Sequence, residues 1–362
     1  MRMIVPQAVR FAMTRSTFTV LGCVLLASCA PDARGVARPT EQGERFFANL
    51  TQLTFGGQNA ESYFSADGTR LVFQRQESDS TCDQQYLIDI DGSDMTRVSN
   101  GLGRTTCGYF YERDSRVLYS STFHVSEQCP PPPDYSQGYV WALYDYDIYT
   151  SNPDGSDLRR LTATLGYDAE ATLSPDGELL VFTSVRDGDL DIYTMKIDGS
   201  DVRRLTTAVG YDGGPFFSPD GSKIVYRSWH PPTDEERENY LALLASGLVR
   251  PSRMEIWVMN SDGGDQTQIT DLGGANFAPA WHPDGERIIF SSNHENPRSR
   301  DFELYLMNVD GSGLTRVTHS SDFDGFPHFS PDGSKLAFAS NRHGTVQGET
   351  NIFIVDWVES DG

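Results

Sequence analysis

The stretch SPDGELLVFTSVRDGDLDIYTMKIDGSDVRRLT, Ser174–Thr206, holds three apolar runs separated by polar turns. Ser-Pro-Asp-Gly is followed by LLVF, then by DIYTM, and a second Asp-Gly turn leads to RRLT. Short runs rich in β-branched and aromatic residues, bounded by Gly, Pro and Asp, are strands rather than helices. Asp-Gly supplies the positive φ that a tight hairpin needs, so neighbouring strands run antiparallel.

This stretch is one copy of a repeat. SPDG recurs at Ser218 and Ser330, SADG stands at Ser65, HPDG at His282, and a worn copy, ERDS, at Glu112. The starts are 47, 62, 44, 64 and 48 residues apart. After each comes an apolar strand (RLVF, RVLY, LLVF, KIVY, RIIF, KLAF). Five copies end in an Asp-Gly turn and a short strand: TRVS, RRLT, RRLT, TQIT or TRVT. Four antiparallel strands in about 44 residues is the size of one β-propeller blade. The sixth copy ends in TNIFIVDWVE, Thr350–Glu359, with no fourth strand after it, whereas TQLT, from Thr51, has no copy before it and matches RRLT. Pairing that N-terminal strand with the last blade leaves neither as an open edge. The expected fold is therefore all-β: a six-bladed β-propeller over residues 48–362, closed three-plus-one by an N-terminal strand.

The SPDG…DGS…RLT pattern resembles the WD40-like PD40 repeats of the TolB propeller family, over roughly residues 48–358. The α/β domain that precedes the propeller in TolB has no counterpart in the pattern. Related propellers occur in prolyl-oligopeptidase-type peptidases and oligogalacturonate lyases. The resemblance implies a protein- or peptide-binding propeller, as TolB binds a peptidoglycan-associated lipoprotein.

The N-terminus reads as a targeting segment. Arg2, Arg10 and Arg15 precede the apolar run FTVLGCVLLA, too short to span a bilayer as a mature helix, and Leu26–Cys29 reads LASC. This resembles a bacterial lipobox, which implies cleavage after residue 28 and a lipid on Cys29, with Met1 or Met13 as the start. Ala30 after the cysteine points to the outer membrane, by resemblance to lipoproteins retained at the inner membrane through Asp. Residues 29–47 then read as a flexible tether. Cys82, Cys107 and Cys129 remain, an odd number in an oxidising compartment, so one disulfide and one free thiol are expected, with three pairings open.

The chain carries 51 acidic against 29 basic residues, a net charge of −22, and loss of the segment with three arginines makes it more acidic still. That excludes nucleic acid and anionic lipid headgroups as partners, leaving the lipid as the membrane contact. A monomer is expected.

Antiparallel connectivity puts the SPDG and DGS turns on one face of the ring, and the second-to-third-strand loops and interblade crossings on the other. The long intervals are insertions on this second face: Ser121–Tyr144 in blade 2 and Ser228–Arg253 in blade 4. In the latter, Thr233 and Glu236 form a capping box, Tyr240, Leu241, Leu243 and Leu244 offer an apolar side, and Gly247 can end the helix. This short helix is either a lid or an insertion packed on its own blade. The crossings NAES, YDAEA, YDGGPF, ANFAPA and DFDGFPH place Glu61, Asp168, Glu170, Asp212, Asn276, Asp324 and His328 around the channel mouth, with Arg186, Arg227 and Arg342 in a ring outside them. These are the candidate ligand-binding residues, although acids near arginines also hold blade to blade.

No chemistry stands out beside them. Asp89–Asp94, DIDGSD, puts Leu87 and Val98 where a calcium loop needs ligands, and Asp187–Asp191 lacks that loop's glycine and terminal Glu. There is no G-x-S-x-G elbow. The seven histidines show no paired spacing for a metal. No cofactor, metal or catalytic residue is expected. The sequence thus points to an exported, lipid-anchored, non-catalytic scaffold for a protein or peptide on the periplasmic side of the envelope. The alternative is a glycan-binding or carbohydrate-active protein using the acidic mouth.

Overall fold

The computed structural model describes residues 34–136 and 138–359. The expected signal peptide, Cys29 and the start of the expected tether lie outside the described residues. The described residues form one compact unit, and no helix among them is long and apolar enough to cross a membrane.

Six antiparallel sheets follow one another. In blade 3 the strands are Asp168–Leu173, Leu179–Ser184, Asp191–Lys196 and Arg203–Arg204, paired in sequence order. The other inner strands are Gln58–Phe64, Thr105–Tyr111, Tyr211–Phe217, Asn276–Trp281 and Asp324–Phe329. The repeat letters each have a task. Ser174 Oγ donates to Asp176 Oδ1 at 2.6 Å and accepts the Leu179 amide at 2.9 Å, while Gly177 sits at φ +78°. At the far end of the blade, Thr206 Oγ1 accepts the Ile192 amide at 3.0 Å and donates to Asp191, and Arg204 donates to the same carboxylate at 2.6 Å. The final Ser or Thr of the short strand therefore caps the third strand. Ser99, Thr162, Thr270 and Thr318 do the same in blades 1, 2, 4 and 5.

Ring closure follows the expected three-plus-one rule, with the strand displaced. Phe47–Gln52 pairs antiparallel with Asn351–Trp357, joining Phe47 to Trp357 and Gln52 to Phe353. Thr54 Oγ1 accepts the Ile352 amide at 2.8 Å, the role of Thr206 in blade 3. The strand begins four residues before TQLT because Phe46, Phe47 and Leu50 fill a core with Phe338, Phe353 and Trp357. Apolar burial, rather than the repeat pattern, sets its start.

The expected tether is corrected over its second half. Val36–Ala37 adds a fifth strand beside Phe47–Gln52, and buried Glu44 pairs with Arg342 at 2.9 Å. These residues pack on the ring because they carry groups that satisfy buried partners in blade 6.

The insertions join each other. Trp141–Ala142 of the first pairs with Leu248–Val249 of the second as a two-stranded sheet, packed with Tyr146, Tyr167, Leu190 and Tyr211. The helix runs Asp234–Leu244, capped by Thr233 as expected, and Gly247 has φ +68°. Of its apolar residues Tyr240 is the buried one; its hydroxyl donates to Asp189 at 2.5 Å and to the Gly210 carbonyl at 2.6 Å. The helix therefore anchors on blade 3 and its crossing as well as on Trp229 of its own blade. A disulfide joins Cys82 to Cys129, tying the first insertion to blade 1, and Cys107 is free and buried.

Candidate functional site

Each inner strand starts with a polar residue that ties it to the preceding blade. The amides of Asn59, Thr105, Asp168, Asp212, Asn276 and Asp324 donate to carbonyls just ahead of the preceding blade's third strand, at 2.8–3.0 Å. The Asn side chains reinforce the clasp, while the Asp side chains pair within their own blade. Asn59 and Asn276 donate to the same carbonyls at 2.7 and 2.9 Å. Asp168 accepts from Arg186 at 3.0 Å, and Asp324 from Arg342 at 2.7 Å. Asp212 faces His230 at 3.2 Å. All are buried.

This divides the expected mouth ring. Asp168, Asp212, Asn276 and Asp324 are clasp residues, and Arg186 and Arg342 are their partners rather than an outer ring. Burial pushes the Asp324 carboxyl above its ordinary range, with Arg342 opposing.

Two residues on, every inner strand bulges. The residue there has positive φ in all six blades: Glu61, Cys107, Glu170, Gly214, Ala278 and Phe326, at +49° to +61°. A bulge re-aims its side chain, and here it turns all six positions to the channel. They line a cavity with an envelope of about 370 Å³ that includes its open mouth. Two residues further, Tyr63, Tyr109, Phe216 and His328 bring four rings together, with centroids 5.3–6.3 Å apart. They form an aromatic floor across the axis.

Of the expected candidates, Glu61, Glu170 and Arg227 line the cavity and His328 lies in its floor. Glu170 is fully engaged: Oε1 holds Arg227, and Oε2 accepts the Thr183 hydroxyl at 2.7 Å and the Gly214 amide at 2.8 Å. Arg227 also donates to the Tyr211 hydroxyl at 2.6 Å. Glu61 Oε2 accepts the Cys107 amide at 3.1 Å, as Glu170 does with Gly214, but no arginine is paired with it, Arg227 being held by Glu170. Burial pushes the Glu61 carboxyl up to about 7, against the opposing pull of Cys107. The Cys107 thiol is pushed well above its ordinary value by burial and then by Glu61, so it stays protonated. His328 is driven down to about 4 by burial, and its Nδ1 accepts the Phe64 amide at 3.3 Å, which fixes the neutral tautomer. No cluster among the described residues has three His, Cys, Asp or Glu suited to a metal ion.

Sequence reasoning missed Cys107, Tyr63, Tyr109, Phe216 and Phe326. The signal was present: they stand two or four residues after the clasp residue in each copy. It also missed that the first insertion crosses the mouth. Trp141 lies 5.2 Å from the Arg227 guanidinium of blade 4, and Tyr139 lies 5.9 Å from Arg300 in the blade 5 loop.

The TolB beta propeller domain family, PD40, matches residues 142–234 and 244–360. No curated protein matches the chain in sequence. Among solved structures the chain is similar to a putative TolB from Agrobacterium tumefaciens, with 20% identity, 84% of this chain and 91% of that one covered, and a TM-score of 0.55. It is similar to a gluconolactonase from Xanthomonas campestris, with 13% identity, 91% and 99% covered, and a TM-score of 0.59. It is also similar to an oligogalacturonate lyase in complex with manganese, with 18% identity, 91% and 99% covered, and a TM-score of 0.51. Identities at this level speak to the fold alone. With six blades and a family match over more than half its length, the chain belongs to the TolB beta-propeller (PD40) family.

Proposed function

We propose that this protein is an exported, lipid-anchored propeller that binds a protein or peptide on its insertion-bearing face and performs no reaction there. The observation that carries this reading is the pairing of the two insertions on one face, with the first reaching Arg227 and Arg300 across the mouth. Exposed Val125, Tyr135 and Tyr139 stand in the first insertion, beside Pro130–Pro133, and exposed Leu165 and Val346 lie in loops of the same face. Apolar side chains gathered on one face fit a partner surface. The charged groups beside the clasps are already paired with each other inside their own blades.

A carbohydrate-active reading draws on Glu61, whose raised pKa suits a general acid. Glycoside chemistry, however, uses a pair of carboxylates, and Arg227 occupies the second.

Immobilised full-length protein should capture a partner from envelope extract. A Tyr135→Ala/Tyr139→Ala variant should recover at least about fivefold less, as loss of two aromatic anchors implies. Equal recovery, or capture of glycan alone, would overturn the reading. The anchor has a separate test: Cys29→Ala should stay unprocessed and carry no lipid, and a variant that is normally processed and remains membrane-bound would rule out lipidation.

A further inference from the structure

The channel cavity holds one carboxylate that the fold pairs with no cation. Glu170 and Arg227 neutralise each other, so Glu61 leaves the lining with one net negative charge. Its Oε2 is held by the Cys107 amide and the Cys107 thiol hydrogen-bonds the carboxylate, but no cationic side chain is paired with it among the described residues. Around it stand Tyr63, Phe216 and Phe326, which line the same cavity.

We propose that this cavity is an ammonium pocket, in which Glu61 and the rings of Tyr63, Phe216 and Phe326 take a primary ammonium group such as a lysine side chain of the bound peptide. The inference rests on the peptide-binding reading and names the chemistry of the residue that the channel anchors.

Three physical arguments select this ligand. Aromatic faces attract a cation once it is desolvated, and a carboxylate supplies the opposite charge. Calcium and magnesium require six or more oxygen ligands, whereas this cavity offers one carboxylate free of a cation among rings. An anion would meet Glu61, and a sugar would find few free polar groups, because those of Glu170 and Arg227 are taken.

Binding should also depend on pH. The groups facing Glu61 are the Cys107 thiol, Glu170, Arg227 and the Tyr63 hydroxyl, and the pKa shifts place Cys107 and Tyr63 in their neutral forms near neutrality. Glu61 is therefore the group that titrates near pH 7. It must be ionised to hold the ammonium, so affinity rises with pH through that value and levels off above it.

The test uses full-length protein and n-butylammonium as probe, followed by calorimetry. The wild type should bind about tenfold more tightly at pH 8 than at pH 6, from the titration of one group with a pKa near 7. Glu61→Gln keeps an acceptor for the Cys107 amide, so it should melt like the wild type, bind at least about tenfold more weakly, and show a flat pH profile. Phe326→Ala, which leaves the charge intact, should weaken binding severalfold, and Glu238→Gln on the exposed helix face should change nothing.

The proposal is overturned if the wild type does not bind the probe at ~50 mM, a threshold of about 2 kcal/mol. It is also overturned if Glu61→Gln binds equally, if 1-butanol binds as well as the amine, or if calcium binds through Glu61 while the amine does not. Amine binding without any captured partner would sink the peptide reading and leave the pocket standing. Capture of a partner without amine binding would do the reverse.

Discussion

A chain shortened to begin at Ala48 should lose most of its stability, although the repeat pattern starts after that point. The cut removes Phe46 and Phe47, both buried in the blade 6 core. Phe46 stacks on Trp357 with centroids 4.9 Å apart, and Phe47 on Phe338 at 5.5 Å. Losing a buried aromatic costs about 3–5 kcal/mol, so two approach the whole stability of a typical domain, about 5–15 kcal/mol. The cut also removes Glu44 and leaves Arg342 with one buried partner instead of two. A chain beginning at Thr40 loses the exposed Val36–Ala37 pairing, the Arg34–Asp91 contact and the hydrogen bonds of Gly35 and Arg38, but no buried side chain, and should melt within a few degrees of the full chain. Thermal unfolding of both truncations decides it: a cooperative transition at the full-length temperature for the Ala48 chain would show that residues 34–47 are a tether after all.

Arg342→Ala should be nearly as severe, and more so in base than in acid. Arg342 is buried between Glu44 and Asp324, at 2.9 and 2.7 Å. Without it, two buried carboxylates face each other, and breaking a buried ion pair from one side costs about 3–5 kcal/mol. The direction with pH follows from Asp324. Its folded-state pKa already stands above the ordinary carboxylate value through burial, with Arg342 as the largest opposing cause. Removing Arg342 raises it further. A carboxyl raised in the folded state loses stability as pH rises from its unfolded value, about 3.9, through the folded one. The penalty should therefore be smallest near pH 4 and grow towards neutrality. Melting curves across that range test it, and an equal loss of stability at every pH would rule out the carboxylate pair as the cause. Adding Asp324→Asn and Glu44→Gln should recover much of the loss.

The difference between expected and observed sites has one local origin. In a regular strand, residues two apart share a face, so Asp168 and Glu170 read from the sequence as equal members of one ring. The bulge between Ala169 and Thr172 breaks that period. Asp168 turns to Ser184 and Arg186 of its own blade, and Glu170 to the channel. Nothing in the residues YDAEA announces the break, because Glu, Cys, Ala and Phe occupy its positive-φ position as well as Gly does. The six copies set side by side carry the offset, but only with the bulge known does it become a boundary between clasp and cavity.

The amino-acid sequence by itself determined the six blades, the turn chemistry of SPDG and DGS, the face that carries the insertions and the closure by an N-terminal strand. These rest on hairpin geometry and on hydrogen bonds between residues two to about fifteen apart, which a repeat displays each time it recurs. The tertiary structure alone decided the rest: the Cys82–Cys129 pairing, Trp141–Ala142 beside Leu248–Val249, Glu44 on Arg342, and Glu61 as the carboxylate without an arginine. Each joins parts of the chain far apart in sequence or depends on a side chain's direction after a bulge. Such contacts are set by where the closed ring places its rims, and no local pattern encodes that.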